Sequence, residues 1–278
     1  MVCGGVTPGE SLGRICSVLA QIAPLRLAED WDNVGLLVGD RGADVSRAMT
    51  CLTITPDVVK EAVESKVDLI IAHHPLPFKP LAKLTTDTVP GTMLLGLASH
   101  KIAVYSAHTA FDSAADGINN QWAKLIGIDD SLPLITSENG SGGVSEGRVN
   151  EGSGRMGRFE SPRSLGQIVK QAADAVGQPS ARIVGSPDLS VSKVAIACGS
   201  GGSFLAAAKR QGCDMLLTGE ATFHTCLEAR SLGIGLGLLG HYHSERFAME
   251  RLAKQLADEV DAIEVWASKV ESDPVQML

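Results

Sequence analysis

The sequence predicts an α/β protein, and three observations carry that reading. Short apolar runs of strand length, such as 67–72 and 101–107, alternate with stretches whose apolar residues recur at helical spacing. Several of those runs stop abruptly on histidine, aspartate or glutamate. Open α/β sheets build their sites beyond the carboxyl ends of the strands, where such residues would gather. Finally, the two halves of the chain echo each other. Val67-Asp-Leu-Ile-Ile-Ala-His resembles Cys213-Asp-Met-Leu-Leu-Thr-Gly-Glu, and Ile102-Ala-Val-Tyr-Ser-Ala-His108 resembles Leu236-Gly-Leu-Leu-Gly-His241. This points to an internal duplication, with a site where the halves face each other.

Residues 10–23 place Leu12, Ile15, Cys16, Leu19 and Ile22 on one helical face, and Pro24 ends that helix. A polar stretch, Glu29-Asp-Trp-Asp-Asn, then runs into an apolar strand ending at Gly39. Trp31, Asp32 and Asn33 are either a loop around a packed aromatic or the wall of a substrate pocket. Residues 49–55 read as a strand, and Thr55-Pro56 as a cap and first turn of a helix to Ser65. The strand from Val67 stops on His73-His74-Pro75, and 75–80 form a proline-stiffened loop that cannot join a central strand. A helix over 90–99, a strand over 101–107 ending in His108-x-x-x-Asp112, and a helix over 117–126 complete the first half.

From Ser137 to Ser161 glycine, serine and glutamate dominate, which predicts a flexible linker with too little apolar surface to order itself. Ser164-x-x-Gln167 is a capping box for a helix to Val176. Strands follow at 182–184, 191–198, 213–220, 235–239 and 263–266, with helices after Ser203, around His224 and Glu228, and, beyond Gly240-His-Tyr-His-Ser-Glu245, a long amphipathic one to about Glu259. Gly199-Ser-Gly-Gly-Ser203 lacks the lysine of a P-loop, so a tight turn is as good a reading as an anion site. The expected division is 1–136 as a first α/β repeat, 137–162 as the linker, and 163–278 as a second repeat.

Of 278 residues, 24 are Lys or Arg and 32 are Asp or Glu, a net charge of −8. A surface of that sign argues against a nucleic-acid partner. No apolar run approaches the ~18 residues of a membrane span. The opening Met1–Val6 lacks a secretory signal pattern, and the six cysteines form no C-x-x-C pair. Together these predict a cytoplasmic protein with reduced thiols.

His73 and His74 supply two imidazoles at one strand end, Asp112 a carboxylate at the next, and His241-x-x-x-Glu245 a further imidazole and carboxylate at helical spacing. Mixed imidazole and carboxylate ligation suits Zn, Fe(II) or Mn. Adjacent side chains on a strand point to opposite faces, so His73 and His74 share an ion only if the chain turns at Pro75; otherwise they divide between two. The competing reading makes His241/Glu245 a surface helix pair and His108/Asp112 a loop cap. Glu220 and His224, four apart, are placed behind the site or in the substrate wall.

Trp31-Asp-Asn-Val-Gly-Leu-Leu-Val-Gly39, Asp68-Leu-Ile-Ile-Ala-His-His-Pro75, Tyr105-Ser-Ala-His-Thr-Ala-Phe-Asp112 with Gly117-Ile-Asn-Asn120, and Gly240-His-Tyr-His-Ser-Glu245 together resemble the Nif-three-like family of dinuclear-metal proteins, the GTP cyclohydrolase type 2 homologues. The resemblance implies two intertwined α/β repeats with mixed sheets and a metal site between them. It implies two divalent ions per subunit held by His73, His74, Asp112, His241 and Glu245, with His108 beside them. It also implies a homo-oligomer, a toroidal hexamer. The domain that some members insert between the halves is not expected, because only the Gly/Ser/Glu-rich stretch occupies that place.

The activity these expectations define is metal-assisted hydrolysis of a small molecule: a nucleotide ring opening, a cyclic amide or a phosphoester. His108 or Glu220 would carry the proton, and Trp31, Asp32 and Asn33 would touch substrate. The second hypothesis is a non-catalytic metal-binding scaffold, metallochaperone or regulatory partner.

Overall fold

A computed structural model describes residues 9–136, 150–178 and 180–276. The chain forms two compact units, Met1–Phe111 with Ala248–Leu278, and Asp112–Phe247. Both are layered α/β structures with mixed sheets, as the sequence predicts.

The first unit is built on a five-stranded sheet in the order Glu264–Ala267, Arg47–Cys51, Leu69–Ala72, Ala103–Ser106, Gly35–Val38. The first four strands are parallel and the last is antiparallel. The strand Leu69–Ala72 is buried along its length, as a continuous apolar run requires when helices cover both faces. Met49, Ile70 and Val104 pack with Val58 and Ala62 of the helix Pro56–Glu64 and Leu97 of the helix Val89–Ser99. Each such aliphatic side chain contributes roughly 1.5–3 kcal/mol on burial. Thr55 caps the helix Pro56–Glu64 as its sequence predicts, accepting from the Val58 N–H.

The second unit holds a six-stranded sheet in the order Leu132–Thr136, Gly152–Ser164, Ser190–Ala197, Met215–Thr218, Gly235–Leu238, Arg182–Val184. The three strands from Ser190 to Leu238 are parallel and their flanking neighbours antiparallel. Ser164 and Gln167 form the expected capping box of the helix Leu165–Ala175.

The two sheets share a strand pattern. Three parallel strands, Arg47–Cys51, Leu69–Ala72 and Ala103–Ser106, are bordered by an antiparallel fourth; the same grammar recurs over Ser190–Leu238.

The structure divides the chain differently from the sequence reading in two places. The C-terminal strand belongs to the first sheet, pairing Glu264 with Arg47, so the second unit ends at Phe247 rather than at residue 278. Residues 152–162, expected within the linker, belong to the 13-residue strand Gly152–Ser164. Here glycine serves close packing. A Cβ at Gly157 would sit 2.4 Å from Cγ2 of Ile128, and one at Gly154, whose φ is +66°, would sit 3.0 Å from the Ile196 carbonyl. Residues 137–149 of the expected linker lie outside the described residues. Among the described residues no helix is long and apolar enough to cross a membrane.

Candidate metal centre

In the first unit, the strand Leu69–Ala72 ends and the chain bends at His73 and His74. Their N–H groups donate to Cys51 O and Leu52 O at 2.9 and 2.8 Å, so the turn is still tied to the neighbouring strand. Ser106 Oγ donates to His73 O at 2.7 Å. His73 is 1% exposed. The bend removes the alternation that would have sent the two imidazoles to opposite faces. Their ring centroids lie 5.1 Å apart, and that of His108 lies 5.1 Å from His73 and 5.5 Å from His74. One nitrogen of each of the three falls within 4.8 Å of the others. Three protonated imidazoles would repel at this distance, whereas three neutral ones present lone pairs that a divalent cation accepts. This group of nitrogens could hold a metal ion.

His108 opens the helix His108–Ser113 with φ +26°. Its Nδ1 is 2.7 Å from Oδ1 of Asp32, whose side chain is buried. Burial alone would push the Asp32 carboxyl up; hydrogen bonds from His108 and from the Thr109 hydroxyl and N–H hold it down at about 2. Asp32 is therefore a carboxylate behind His108, fixing that ring, and not a group open to substrate. Asn33 is half-buried, and its Nδ2 donates to Pro77 O at 2.8 Å, tying two loops together. Trp31 alone of the three expected substrate residues is open to solvent, at 62%. Phe78 joins it at 49% exposure, a residue the sequence reading treated as loop. The Trp31, Phe78 and His108 rings form a near-equilateral cup, with centroids 6.0, 6.0 and 6.2 Å apart.

In the second unit, the strand Gly235–Leu238 passes through Gly240, φ +82°, into the short helix His241–Glu245. The i, i+4 spacing brings His241 Nε2 to 3.1 Å from Oε2 of Glu245, which is 3% exposed. His241 Nδ1 lies 2.9 Å from Glu220 Oε1. The Glu245 carboxylate outweighs the cost of burial and, with help from Glu220, pushes His241 up to about 9. The helix is pinned from outside: Gly199 N–H donates to Ser244 Oγ, which donates to His241 O, and Trp122 Nε1 donates to Ser244 O. A Cβ at Gly199 would lie 2.1 Å from Glu245 Oε1, so only glycine lets the strand end pass that carboxylate.

Asp112 begins the second unit. Its Oδ1 accepts from Cys198 Sγ at 3.2 Å, while Asn119 donates from Nδ2 to Asp112 O and accepts at Oδ1 from Cys198 N–H. Burial, and after it the Asp112 and Glu245 charges, push the Cys198 thiol well up, so it stays protonated and donates. No local signal marks this role, since Cys198 reads as one more apolar residue at a strand end. The five described cysteines are free thiols.

Glu220 lies before the helix Phe223–Leu232, so it shares no helical face with His224 and turns to His241 instead. His100 is incidental, its Nδ1 resting on Gly96 O at a helix end.

An α/β fold whose strand ends gather imidazoles and carboxylates carries side chains that could hold a metal ion. The family model described as Duf34/NIF3 (NGG1p interacting factor 3) matches residues 11–274, and the chain belongs to that family. A GTP cyclohydrolase 1 type 2 homolog of Clostridium perfringens is 31% identical over 268 residues, covering 96% of this chain and 99% of the relative. A GTP cyclohydrolase 1 type 2 of Helicobacter pylori is 35% identical over 233 residues, covering 84% and 86%. Among solved structures, the Bacillus cereus protein related to NIF3 superposes with a TM-score of 0.85 at 24% identity over 98% of this chain and 100% of that one, a likeness of fold.

Proposed function

We propose that this protein is a metal-dependent hydrolase acting on a small molecule with a planar ring. In this reading His73, His74, Asp112, His241 and Glu245 donate to two divalent ions per subunit, of the Zn, Fe or Mn type. The observation that carries it is the His73/His74 imidazole pair, ring centroids 5.1 Å apart at one strand end, with the His108 ring beside both. The imidazole–carboxylate pair His241/Glu245 and the half-buried Asp112 in the second unit support it. When bound, such ions supply Lewis-acid polarisation of the scissile bond and an acidified water at neutral pH.

The chain's own residues do the rest. Asp32 holds His108 through Nδ1, which leaves Nε2 as the atom that takes a proton from water and returns it to the leaving nitrogen or oxygen. Because Asp32 stays ionised, it also stabilises the imidazolium between those two transfers. Glu220 orients His241 through Nδ1 rather than carrying the proton itself. Trp31 and Phe78 offer an aromatic wall on which a planar ring stacks, worth roughly 1–3 kcal/mol for a nucleobase. The names of the relatives, GTP cyclohydrolase 1 type 2 and its homologues, favour ring-opening hydrolysis of a nucleotide as the first reaction to try. A cytoplasmic toroidal hexamer belongs to this proposal, and sedimentation velocity reads the assembly.

The test is elemental analysis followed by a substrate screen. Protein reconstituted with Zn, Fe(II) or Mn is expected to hold about two ions per chain. It should hydrolyse one member of a panel of nucleotides, cyclic amides and phosphoesters at a rate lost in Asp112→Ala and Glu245→Ala. Far less than one ion per chain after reconstitution overturns the metal centre. Full metal with no turnover across the panel favours a metal-binding scaffold.

A further inference from the structure

The C-terminal segment and the imidazole cluster of the first unit meet at two residues, Leu52 and Thr53. The strand Arg47–Cys51 has the C-terminal strand Glu264–Ala267 on its outer edge, and that pairing ends with Ser268 N–H donating to Thr50 O. Beyond this point Leu52 and Thr53 still present N–H groups on the same edge. Leu52 is buried, and a buried N–H without an acceptor is costly. Glu271 supplies the acceptor. Its carboxylate takes Leu52 N–H at 2.9 and 3.1 Å and Thr53 N–H at 2.9 Å, so one side chain continues the edge where the strand stops. The segment leading to Glu271 is itself fastened: Ser268 Oγ and Lys269 N–H both donate to the Glu61 carboxylate.

The other side of the same two residues faces the histidines. Leu52 O accepts from His74 N–H at 2.8 Å, and Thr53 Oγ1 lies 2.6 Å from His74 Nδ1. A histidine that donates to a metal through one nitrogen needs a partner on the other, which fixes both the tautomer and the ring orientation. With Thr53 Oγ1 accepting from Nδ1–H, Nε2 keeps the lone pair.

We infer that Thr53 and Glu271 are positioning residues for His74, with Glu271 holding the backbone of Thr53 and the Thr53 hydroxyl holding the imidazole with Nε2 as its donor atom. The inference rests on the metal-centre reading above. It adds that the C-terminal segment sets the metal affinity of a histidine placed early in the chain. Neither residue touches the ion or substrate.

The experiment strips the full-length protein of metal and titrates it with Zn(II) against a chromophoric chelator. A parallel titration with Co(II) uses the visible band to report ligand geometry. Thr53→Val is expected to weaken binding about 10- to 100-fold and to alter the cobalt band, and Glu271→Gln to weaken it about tenfold, the range seen when partners of ligating histidines are removed. Thr53→Ser, which restores the hydroxyl, should return both readouts to wild type. Glu264→Gln, which alters the same C-terminal strand at its exposed ion pair with Arg47, should leave both unchanged. Wild-type affinity and spectrum in both Thr53→Val and Glu271→Gln, while His74→Ala loses metal, overturns the positioning role. Full metal binding by His74→Ala overturns the metal-centre reading itself. Glu271→Gln keeps the test decisive if Thr53→Val fails to fold, because it alters one half-buried carboxylate of the C-terminal segment.

Discussion

Asp68 and Asp214 make the same set of hydrogen bonds in two different sheets. Asp68 Oδ2 accepts from Ser46 and Arg47 N–H at 2.8 and 2.9 Å, and Asp214 Oδ2 accepts from Ser192 and Lys193 N–H at 2.8 Å each. Each aspartate also donates its own N–H to the strand it caps, to Arg47 O and Lys193 O. The repeated aspartate in the sequence is thus the clamp that aligns the start of two parallel strands. Replacing either by alanine leaves two strand donors without their charged acceptor. Chemical denaturation should register a loss of about 1–3 kcal/mol for each, and less for Asn, which keeps one acceptor oxygen.

Asp32 predicts an acid-stability signature. Its folded-state pKa, about 2, lies below the ordinary 3.8, so the group stabilises the fold in its ionised form. That contribution is fully present above pH 3.8 and is lost as pH falls through about 2. The stability gap between wild type and Asp32→Asn, read by urea unfolding, should be constant at pH 5–7, on the order of 2 kcal/mol at most, and should close toward pH 2. A gap that widens on acidification would contradict the assignment.

Gly199 should tolerate nothing larger. Its φ is +57°, which costs a non-glycine residue roughly 1 kcal/mol, and a Cβ there would overlap the Glu245 carboxylate. Gly199→Ala is expected to lower the melting temperature and, by displacing Glu245, to reduce bound metal. Normal metal content in a folded variant would show that Glu245 is not a donor.

Tyr105 offers a gain. Its ring is 1% exposed, its hydroxyl is buried with no hydrogen-bond partner among the described residues, and burial pushes its ionisation up. Tyr105→Phe removes the unsatisfied group while keeping the ring, so unfolding should show unchanged or increased stability, by up to about 1 kcal/mol.

Much of the architecture was legible because its signals are local. The buried run Leu69–Ala72, the Thr55-Pro56 start and the Ser164/Gln167 capping box each declare themselves within a few residues. The strand Gly152–Ser164 did not, because its glycines answer to Ile128 and Ile196, neighbours distant in sequence. The return of Glu264–Ala267 to the first sheet was hidden for the same reason: a strand's sequence says what it is, not which edge it joins. At the site, the histidines stood out by type and position. Asp32 did not reveal that it would be buried behind His108, and Thr53, Asn119 and Cys198 hold their partners with groups too common to notice. Phe78 sits between Pro77 and Pro80, in a segment whose prolines mark a stiff loop and not a binding wall.

The strand Glu264–Ala267 also sets a timetable for synthesis. The outer edge of Arg47–Cys51 stays uncovered until that strand has been made, and at roughly 5–20 residues per second the interval is on the order of 10–40 s. A nascent chain therefore carries an open sheet edge through most of its translation, an invitation to pair with a neighbour on the same message. Premature stops late in the chain should yield aggregated protein even though every residue of the second unit is present, and the soluble fraction of chains ending after Phe247 and after Glu271 reads this directly.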